Sequence, residues 1–248
     1  MKKKIVLFDI ETSPHIGYSW GKYEQDIIDF KEEGHIMCFA YKFIGEKSVH
    51  AVATIDFKKD GERKVVESLH KLFDDADILI AHNGDDFDIK MVNRSFAKYG
   101  MLPPSPYETI DTKKLAKSRF RFTSNKLDDL GEYLGLGRKM QTGGFQLWLD
   151  CLAGDKKAWN KMVAYNRQDI ILLEKVYLKL RPWAKTHPRI DTSDKILCPV
   201  CGSADVQRRG YGCTAGGFMY YRFQCNACGK YSSGKHTQRI INNEHIIK

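Results

Sequence analysis

The chain has 248 residues, 42% of them apolar and 29% charged, which is enough for one large domain or a medium domain with a small one. No window approaches the roughly 18 uninterrupted apolar residues of a membrane span, and Asp9 and Glu11 break the apolar run that follows the N-terminal lysines. We therefore expect neither an integral membrane protein nor an exported one. The formal net charge of +9 favours polyanionic partners, because Lys and Arg displace counterions from phosphates.

Hydrophobic periodicity predicts alternating strands and helices followed by a helical region. In chain order the predicted elements are strands at 4–10, 35–43 and 48–55, a helix at 61–73, a strand at 78–81, a helix at 86–99, a strand at 107–110, and helices at 112–117, 127–134 and 155–180. The order βββαβαβ indicates an α/β fold with a mixed sheet.

A domain boundary is predicted after the last helix, where Pro182, Pro188 and the polar run 191–194 interrupt the pattern. The predicted organisation is a domain at 1–185, a linker at 186–195 and a small cysteine-rich module at 196–248.

The first predicted strand ends with two carboxylates. Side chains two apart in a strand share a face, so Asp9 and Glu11 would lie together. Divalent ions such as Mg²⁺ or Mn²⁺ prefer oxygen ligands, and two of them can clamp the attacking and leaving oxygens of a phosphoryl displacement. The alternative interpretation is a solvated strand end.

A second polar segment follows the predicted strand at 78–81. It contains His82, Asn83 and the aspartates Asp85, Asp86 and Asp88. Ligands often bind at strand ends in α/β sheets. The alternative is that Asp85 caps the next helix and the other aspartates are first-turn acids favoured by the helix dipole.

The third motif lies on the long predicted helix. Positions i and i+4 share a helix face, so the Tyr165 hydroxyl and the Asp169 carboxylate could reach one centre. The alternative is a tyrosine beside an exposed aspartate.

Together and in this order, the three motifs resemble the DEDD superfamily of 3′–5′ exonucleases, the DnaQ-like branch of the ribonuclease H-like fold. The resemblance covers roughly residues 4–180, including the segments 124–130 and 134–137. Its pattern of His-Asn followed by Phe-Asp selects Asp88 as the metal ligand of the second motif. Because position 164 is Ala and position 165 is Tyr, the chain resembles the tyrosine (DEDDy) subgroup, as in the proofreading domains of family A and B polymerases.

The resemblance implies a five-stranded ribonuclease H-like mixed sheet flanked by helices, and two-metal-ion hydrolysis that releases nucleoside 5′-monophosphates. Asp9 would bridge two Mg²⁺ or Mn²⁺ ions, Glu11 and Asp169 would complete one site, and Asp88 would hold the other. Tyr165 would position the attacking water by a hydrogen bond. The substrate-binding residues implied are Thr12, His82, Asn83, Asn125 and Lys126. The partners expected are DNA, as single strands or 3′ ends and favoured over RNA, and a replication or repair protein.

A basic run between the second and third motifs contains no acidic residue. It consists of Lys113, Lys114, Lys117, Arg119, Arg121 and Lys126, interleaved with Phe120 and Phe122. Cations alternating with aromatic rings suit a single-stranded nucleic acid. The alternative is a solvated helix with two core phenylalanines. The acidic residues Asp111 and Asp150 fit capping or surface positions better than metal ligands.

The tail carries two CxxCG pairs, Cys198 with Cys201 and Cys225 with Cys228. Each pair suits a knuckle in which two thiolates bind a tetrahedral zinc ion, and the whole resembles a zinc ribbon with one structural Zn²⁺ and a glycine-rich hairpin between the pairs. Its aromatic and basic residues permit nucleic-acid binding, but a module this small also needs aromatics to cover its own core. Of the other cysteines, Cys38 and Cys151 are expected to be apolar fillers and Cys213 a spare thiol.

Two other functions stay open. A ribonuclease H-like endonuclease or junction resolvase uses a similar carboxylate cluster, although Tyr165 argues against it. A binding protein could keep the fold and the zinc ribbon without catalysis. A cytoplasmic location, in a bacterial cell or a phage-infected host, is expected for each.

Overall fold

The computed structural model describes residues 3–23, 26–191, 193 and 195–239, without the side chains of 235–239. Contacts divide the described chain into two compact units: Lys4–Leu178, and the residues from Lys179 onward together with Lys3. The boundaries 1–185, 186–195 and 196–248 stay a prediction. No helix within the described residues is long and apolar enough to cross a membrane.

The first unit is built on a mixed five-stranded sheet. The strands of this unit are β1 (Ile5–Thr12), β2 (Ile16–Tyr18), β3 (Asp29–Glu32), β4 (Ile36–Phe43), β5 (His50–Ala53), β6 (Ile78–Ala81) and β7 (Glu108–Asp111). The main sheet has the order β5-β4-β1-β6-β7. In it β4 runs antiparallel to β1 and β5, whereas β6 runs parallel to β1 and β7. The predicted α/β fold with a mixed sheet is confirmed.

Helices cover both faces of this sheet. They are α1 (Gly61–Asp75), α2 (Asp88–Lys98), α3 (Thr112–Arg119), α4 (Leu127–Tyr133), α5 (Gln146–Leu152) and α6 (Lys156–Leu180). The alternation of β1 assigns its side chains to opposite faces. Phe8 packs in the core formed with α1 and α2, whereas Glu11 lies opposite Cys38, which packs in the core formed with α5 and α6. Asp9 and Glu11 therefore face α6.

Four features differ from the sequence predictions. The ribbon of β2 and β3 and the helix α5 were not predicted, because each is only three to seven residues long and the ribbon is exposed. The predicted strand at 48–55 ends at Ala53, where a 3₁₀ turn begins. Helix α2 begins at Asp88 instead of 86, because Asn83 adopts a left-handed conformation (φ 69°) and its carbonyl accepts the amides of Asp86 and Phe87 in a turn.

The second unit contains a three-stranded antiparallel sheet of order β10-β9-β8. The strands are β8 (Val206–Cys213), β9 (Phe218–Cys225) and β10 (Tyr231–Arg239). The turn between β8 and β9 passes through Gly217, whose φ of 80° suits glycine. The predicted glycine-rich hairpin is thus confirmed. Cys198, Val200 and Cys225 form a small buried cluster in this unit, and Ala184 and Ile190 are also buried.

Stability of the first unit depends on an aromatic cluster around the fully buried Phe73. Its ring lies 5.0 Å from Phe8, 5.9 Å from Phe96 and 5.5 Å from Tyr107, all edge to face. We expect Phe73→Ala to lower the free energy of unfolding by about 3–5 kcal/mol, since it removes buried surface and leaves a cavity. Urea unfolding followed by circular dichroism measures the change.

The matched control is Leu102→Ala, at a side chain that is 81% exposed, for which we expect less than about 0.5 kcal/mol. Equal effects of the two substitutions would contradict the assignment of Phe73 to the core.

Candidate functional site

Three carboxylates meet where β1 faces α6. One oxygen each of Asp9, Glu11 and Asp169 lies within 4.8 Å of the others. Asp9 and Glu11 share a face of the central strand, and Asp169 is fully buried on α6. The Oδ1 atom of Asp169 is buried and has no hydrogen-bond partner among the described residues. This arrangement can hold a cation.

Asp88 lies beside this group, not within it. It is the first residue of α2, which follows β6, the parallel neighbour of β1. Its side chain is buried, and Oδ1 accepts the backbone N–H of Ile10 at 3.2 Å. The carboxylate is therefore held against the strand between Asp9 and Glu11.

Asn166 is a residue of the site that the sequence analysis did not single out. It is fully buried, and its Nδ2 donates to Asp9 Oδ2 at 2.7 Å and to the Asp9 carbonyl at 3.3 Å. The Cys38 thiol lies 3.9 Å from Asn166 Oδ1. Cys38 and Cys151 are both buried in the core beneath, which confirms them as fillers. Asn166 thus fixes the orientation of the Asp9 carboxylate.

Lys139 is the second residue that the sequence analysis missed. Its Nζ donates to Asp169 Oδ2 at 2.7 Å and to the Tyr165 hydroxyl at 3.0 Å. The loop that carries it is anchored by Asp128, which accepts the backbone N–H of Lys139 at 2.7 Å and a bond from Arg138 at 3.2 Å. Lys139 brings a positive charge to the edge of the carboxylate group.

The carboxyl groups of the site bind protons more tightly than free carboxyl groups do. Burial raises the pKa of Glu11 to about 8, with Asp169 adding to the shift. Burial raises the pKa of Asp88 to about 6, although the bond from Ile10 opposes this. Burial also raises the pKa of Asp9, and the neighbouring carboxylates raise it further.

Burial also shifts the pKa values of Asp169, Tyr165 and Lys139. Burial raises the pKa of Asp169, and Lys139 opposes the shift. The pKa of Tyr165 is raised well above its ordinary value, by burial first and by Asp169 second. Burial lowers the pKa of Lys139. The negative charge of Asp169 and the hydrogen bonds to Asp169 and Tyr165 raise it by more, so the pKa lies above its ordinary value. Tyr165 therefore stays protonated at neutral pH and acts as a hydrogen-bond donor or acceptor.

The segment of the second motif is tied to α3 and to the loop before α4. His82 Nε2 lies 2.9 Å from the Asn125 carbonyl and Nδ1 lies 2.9 Å from Thr112 Oγ1. Burial lowers the pKa of His82 to about 4, so the ring is neutral. Asn83 Oδ1 accepts from Lys113 Nζ at 3.1 Å.

Asp111 is a helix cap, as the sequence analysis expected. Its Oδ1 accepts the backbone N–H groups of Asn83, Lys113 and Lys114 at 2.8 to 3.1 Å, so it closes the N-terminus of α3 and fixes the turn after β6. Asp150 accepts from Gln146 at 2.7 Å and lies on α5.

Asp85 does not cap α2, whose N-terminal boundary residue is Phe87 without a side-chain cap. Instead Lys114 Nζ lies 3.2 Å from Asp85 and 3.3 Å from Asp86. The ion pairs neutralise part of the charge that these two aspartates bring near Asp88.

The remaining predicted substrate-binding residues and the basic run differ in their exposure. Thr12 is half-buried and pairs with Ile36 after an irregular step in the strand register. Lys126 is exposed, and Asn125 Oδ1 is buried without a partner among the described residues. Phe120 and Phe122 are half-buried and stacked, with ring centroids 5.0 Å apart.

A four-cysteine cluster lies in the second unit. The Sγ atoms of Cys198, Cys201, Cys225 and Cys228 lie within 4.8 Å of one another. The pairs Cys198–Cys228 and Cys201–Cys225 are 3.7 and 3.5 Å apart. A tetrahedral ion with metal–sulfur bonds of about 2.3 Å would give S···S edges of about 3.8 Å. The cluster can therefore hold a metal ion. Cys213 lies outside it and is exposed.

The family of the chain follows from a comparison with family models. Residues 24–181, more than half of the chain, match the RNase_H superfamily. The chain belongs to this superfamily. The matched range includes Asp88, Tyr165 and Asp169 and begins after Asp9 and Glu11.

Three proteins illustrate the similarity. A DNA polymerase of Thermococcus hydrothermalis is 30% identical over 100 residues, which are 40% of this chain and 6% of that protein. A DNA polymerase III PolC-type of Ureaplasma parvum is 36% identical over 142 residues, 49% of this chain and 9% of that protein. A solved family B DNA polymerase from Pyrobaculum calidifontis shares the fold, with a TM-score of 0.56 and 14% identity over 73% of this chain and 25% of that one. The chain thus spans a small part of each polymerase.

The raised pKa of Glu11 predicts a stability that depends on pH and on divalent cations. The folded chain binds this proton more tightly than the unfolded chain, so stability falls as pH rises from the ordinary pKa of 4.5 to about 8. A bound cation replaces the proton, so we expect Mg²⁺ to raise the melting temperature more near pH 8 than near pH 5. Thermal unfolding of dialysed protein, with and without MgCl₂, measures this.

Glu11→Gln should weaken both the pH dependence and the effect of Mg²⁺. The matched control Glu108→Gln, at an exposed residue of β7 outside the cluster, should leave both unchanged. An equal effect of Mg²⁺ at the two pH values in the native sequence would count against the cluster as a cation site.

Proposed function

We propose that the chain is a metal-dependent 3′–5′ exonuclease of the tyrosine (DEDDy) subgroup that removes nucleoside 5′-monophosphates from nucleic acid, with DNA favoured over RNA. The observation that carries this proposal is the convergence of Asp9, Glu11 and Asp169 within 4.8 Å, with the Tyr165 hydroxyl and Asp169 joined through one ammonium group.

The carboxylates fit divalent cations such as Mg²⁺ or Mn²⁺. Asp9, Glu11 and Asp169 would hold one ion, and Asp9 with Asp88 a second. Asp169 Oδ1 is buried and lacks a partner among the described residues. The raised pKa values of Glu11 and Asp88 indicate that the site disfavours uncompensated negative charge, which a bound cation would compensate. When bound, such ions lower the pKa of water and stabilise the charge on a phosphodiester undergoing hydrolysis.

The side chains around the carboxylates have separate tasks in this proposal. Asn166 holds Asp9 in one orientation through its amide. Tyr165, protonated at neutral pH, orients the attacking water by a hydrogen bond. Lys139 fixes the Tyr165 hydroxyl against Asp169 and adds positive charge where a phosphate must approach carboxylates.

The proposed substrate contacts are Thr12, Asn83, Asn125 and Lys126, and His82 is proposed to position one of them. Since both ring nitrogens of His82 are bonded within the protein, its proposed task is to hold the Asn125 segment in place. The buried Asn125 Oδ1 lacks a partner among the described residues and is the free acceptor of this segment. Lys126 is exposed and carries a charge suited to a phosphate.

The preference for DNA is supported by the matched relatives, which are DNA polymerases. We infer that single strands or 3′ ends of DNA are the substrate, that RNA is a weaker one, and that the chain acts with a replication or repair protein.

The exonuclease proposal predicts a ladder of products that shortens from the 3′ end of a 5′-labelled single strand in Mg²⁺ or Mn²⁺. Asp9→Ala should lower the rate roughly a hundredfold or more, since it removes a group that stabilises charge. Tyr165→Phe should lower the rate by up to about a hundredfold, since the water is then misplaced. A gel time course on DNA and on RNA measures both effects.

The matched controls are Asp150→Ala and Tyr133→Phe, which lie outside the cluster and should keep the native rate. Intact strands with either metal ion, while the protein still shifts them on a native gel, would instead support a binding protein without catalysis. Cleavage of a circular strand would support an endonuclease.

We also propose that the four-cysteine cluster is a zinc ribbon with one structural Zn²⁺. The S···S distances of 3.5 and 3.7 Å match the edges of a zinc tetrahedron, and the glycine that follows each pair, Gly202 or Gly229, has a positive φ that closes a knuckle. Among the described residues, the buried cluster that holds the cysteines has three members, Cys198, Val200 and Cys225, so a bound metal ion would contribute much of the stability of this region.

The zinc proposal predicts one zinc ion per purified chain, measured by atomic absorption. Cys225→Ser should lower the zinc content severalfold, because a ligand of the tetrahedron is lost, and should make the second unit sensitive to proteolysis. Cys213→Ser, at the exposed cysteine outside the cluster, should keep the full content. The absence of zinc from the native chain purified without chelators would refute the proposal.

A further inference from the structure

One face of the β8–β9 hairpin carries a row of aromatic rings that the small core of the second unit does not use. Tyr211, Tyr221 and Phe223 share this face, with ring centroids 4.9 Å apart for the first pair and 6.3 Å for the second. Tyr211 is 48% exposed, and the other two are half-buried. We call these three rings the aromatic face.

A cleft of about 720 Å³ opens along the aromatic face, in the size range of ligand pockets. Tyr221 and Phe223 form one side, and the exposed Ile196 forms another. On β10 the residue above the rings is Gly234, where a Cβ would come within 2.9 Å of the Phe223 ring. The absence of a side chain at this position keeps the ring edge accessible.

Positive charge surrounds the aromatic face. Arg189 and Lys195 line the cleft, and the Arg208 guanidinium lies 3.7 Å from the Tyr221 centroid and 4.7 Å from that of Tyr211. None of the described residues that line the cleft is acidic. Residues 189–239 contain eight Lys or Arg and three acidic residues, Asp191, Asp194 and Asp205. We call Arg189, Lys195 and Arg208 the cationic rim.

Rings in a row with cations beside them match the two parts of a single strand, its bases and its phosphates. A duplex would present phosphates but no free base faces, and an apolar peptide would gain nothing from the rim. An arginine held against tyrosine rings can also stack on a base while contacting a phosphate.

We propose that the aromatic face and the cationic rim form a binding site for single-stranded nucleic acid, with bases stacked on the rings and phosphates held by the rim. The inference rests on the proposed function for the class of ligand. It does not require hydrolysis, because the site lies in the second unit, outside the carboxylate cluster.

The test is the affinity of the full chain for a fluorescein-labelled oligothymidine, measured by anisotropy in an Asp9→Ala background so that the strand stays intact. We expect Tyr221→Ala and Arg208→Ala each to raise Kd about tenfold or more, in line with the loss of one base stack. Tyr211→Ala, at a more exposed ring, provides the same readout if Tyr221→Ala impairs folding. Zinc content and circular dichroism confirm that each variant is folded.

The opposite face of the same sheet offers matched controls. Tyr231 pairs with Gln224 and is 54% exposed, and Arg222 alternates with the aromatic face along β9. Tyr231→Ala and Arg222→Ala should leave Kd within about twofold. Equal losses on both faces, or no loss on the aromatic face, would overturn the proposal.

A strand with the same phosphates but abasic sugars separates stacking from charge. We expect it to bind at least about tenfold more weakly than oligothymidine, and the difference to shrink in Tyr221→Ala. Equal binding of the two strands would overturn the stacking site. Exonuclease activity is measured separately on the chain with Asp9 intact, so loss of the proposed function and loss of this site give different results.

Discussion

The constraint on which the site depends is the crowding of carboxylates in a place with little water. Asp88 and Asp169 are buried and Asp9 and Glu11 are half-buried, and loss of hydration raises the pKa of each. In a medium of low dielectric constant such charges repel strongly, so the arrangement costs free energy without a cation. The sheet and α6 hold the groups in place. Binding of a divalent cation would relieve this repulsion, and that relief would contribute to its affinity for the site.

Hydrogen bonds from neighbouring elements fix the orientation of the carboxylates in the site. Three of the four carboxylates are fixed by a donor from another element: Asp9 by the Asn166 amide, Asp88 by the Ile10 backbone and Asp169 by Lys139. Lys139 in turn depends on its loop, which Asp128 holds through the backbone N–H. Groups that orient metal ligands change affinity even though they touch no metal.

A site residue could be predicted from the sequence only where its contacts depend on residues nearby in the chain. Asp9 with Glu11, and Tyr165 with Asp169, were found because strand and helix periods are local. Asp88 could be chosen over Asp85 only by resemblance, because the turn at Asn83 that shifts the start of α2 is set by Asp111, 28 residues away. Asn166 meets Asp9 across 157 residues, and Lys139 meets Asp169 across 30. Neither contact has a local signature, although Asn166 lies next to Tyr165.

The aromatic residues of the second unit are more numerous than its buried cysteine cluster requires. A small module ordinarily uses its aromatic residues to build a core. Here the buried cluster beside the hairpin consists of Cys198, Val200 and Cys225, two of which belong to the four-thiol cluster that can hold a metal ion. Tyr211 and Tyr221 are therefore not needed for burial, and they are packed against a guanidinium instead. Contiguous exposed apolar surface, such as these rings, often marks a binding site. The positive charge around the rings favours a polyanion as the ligand.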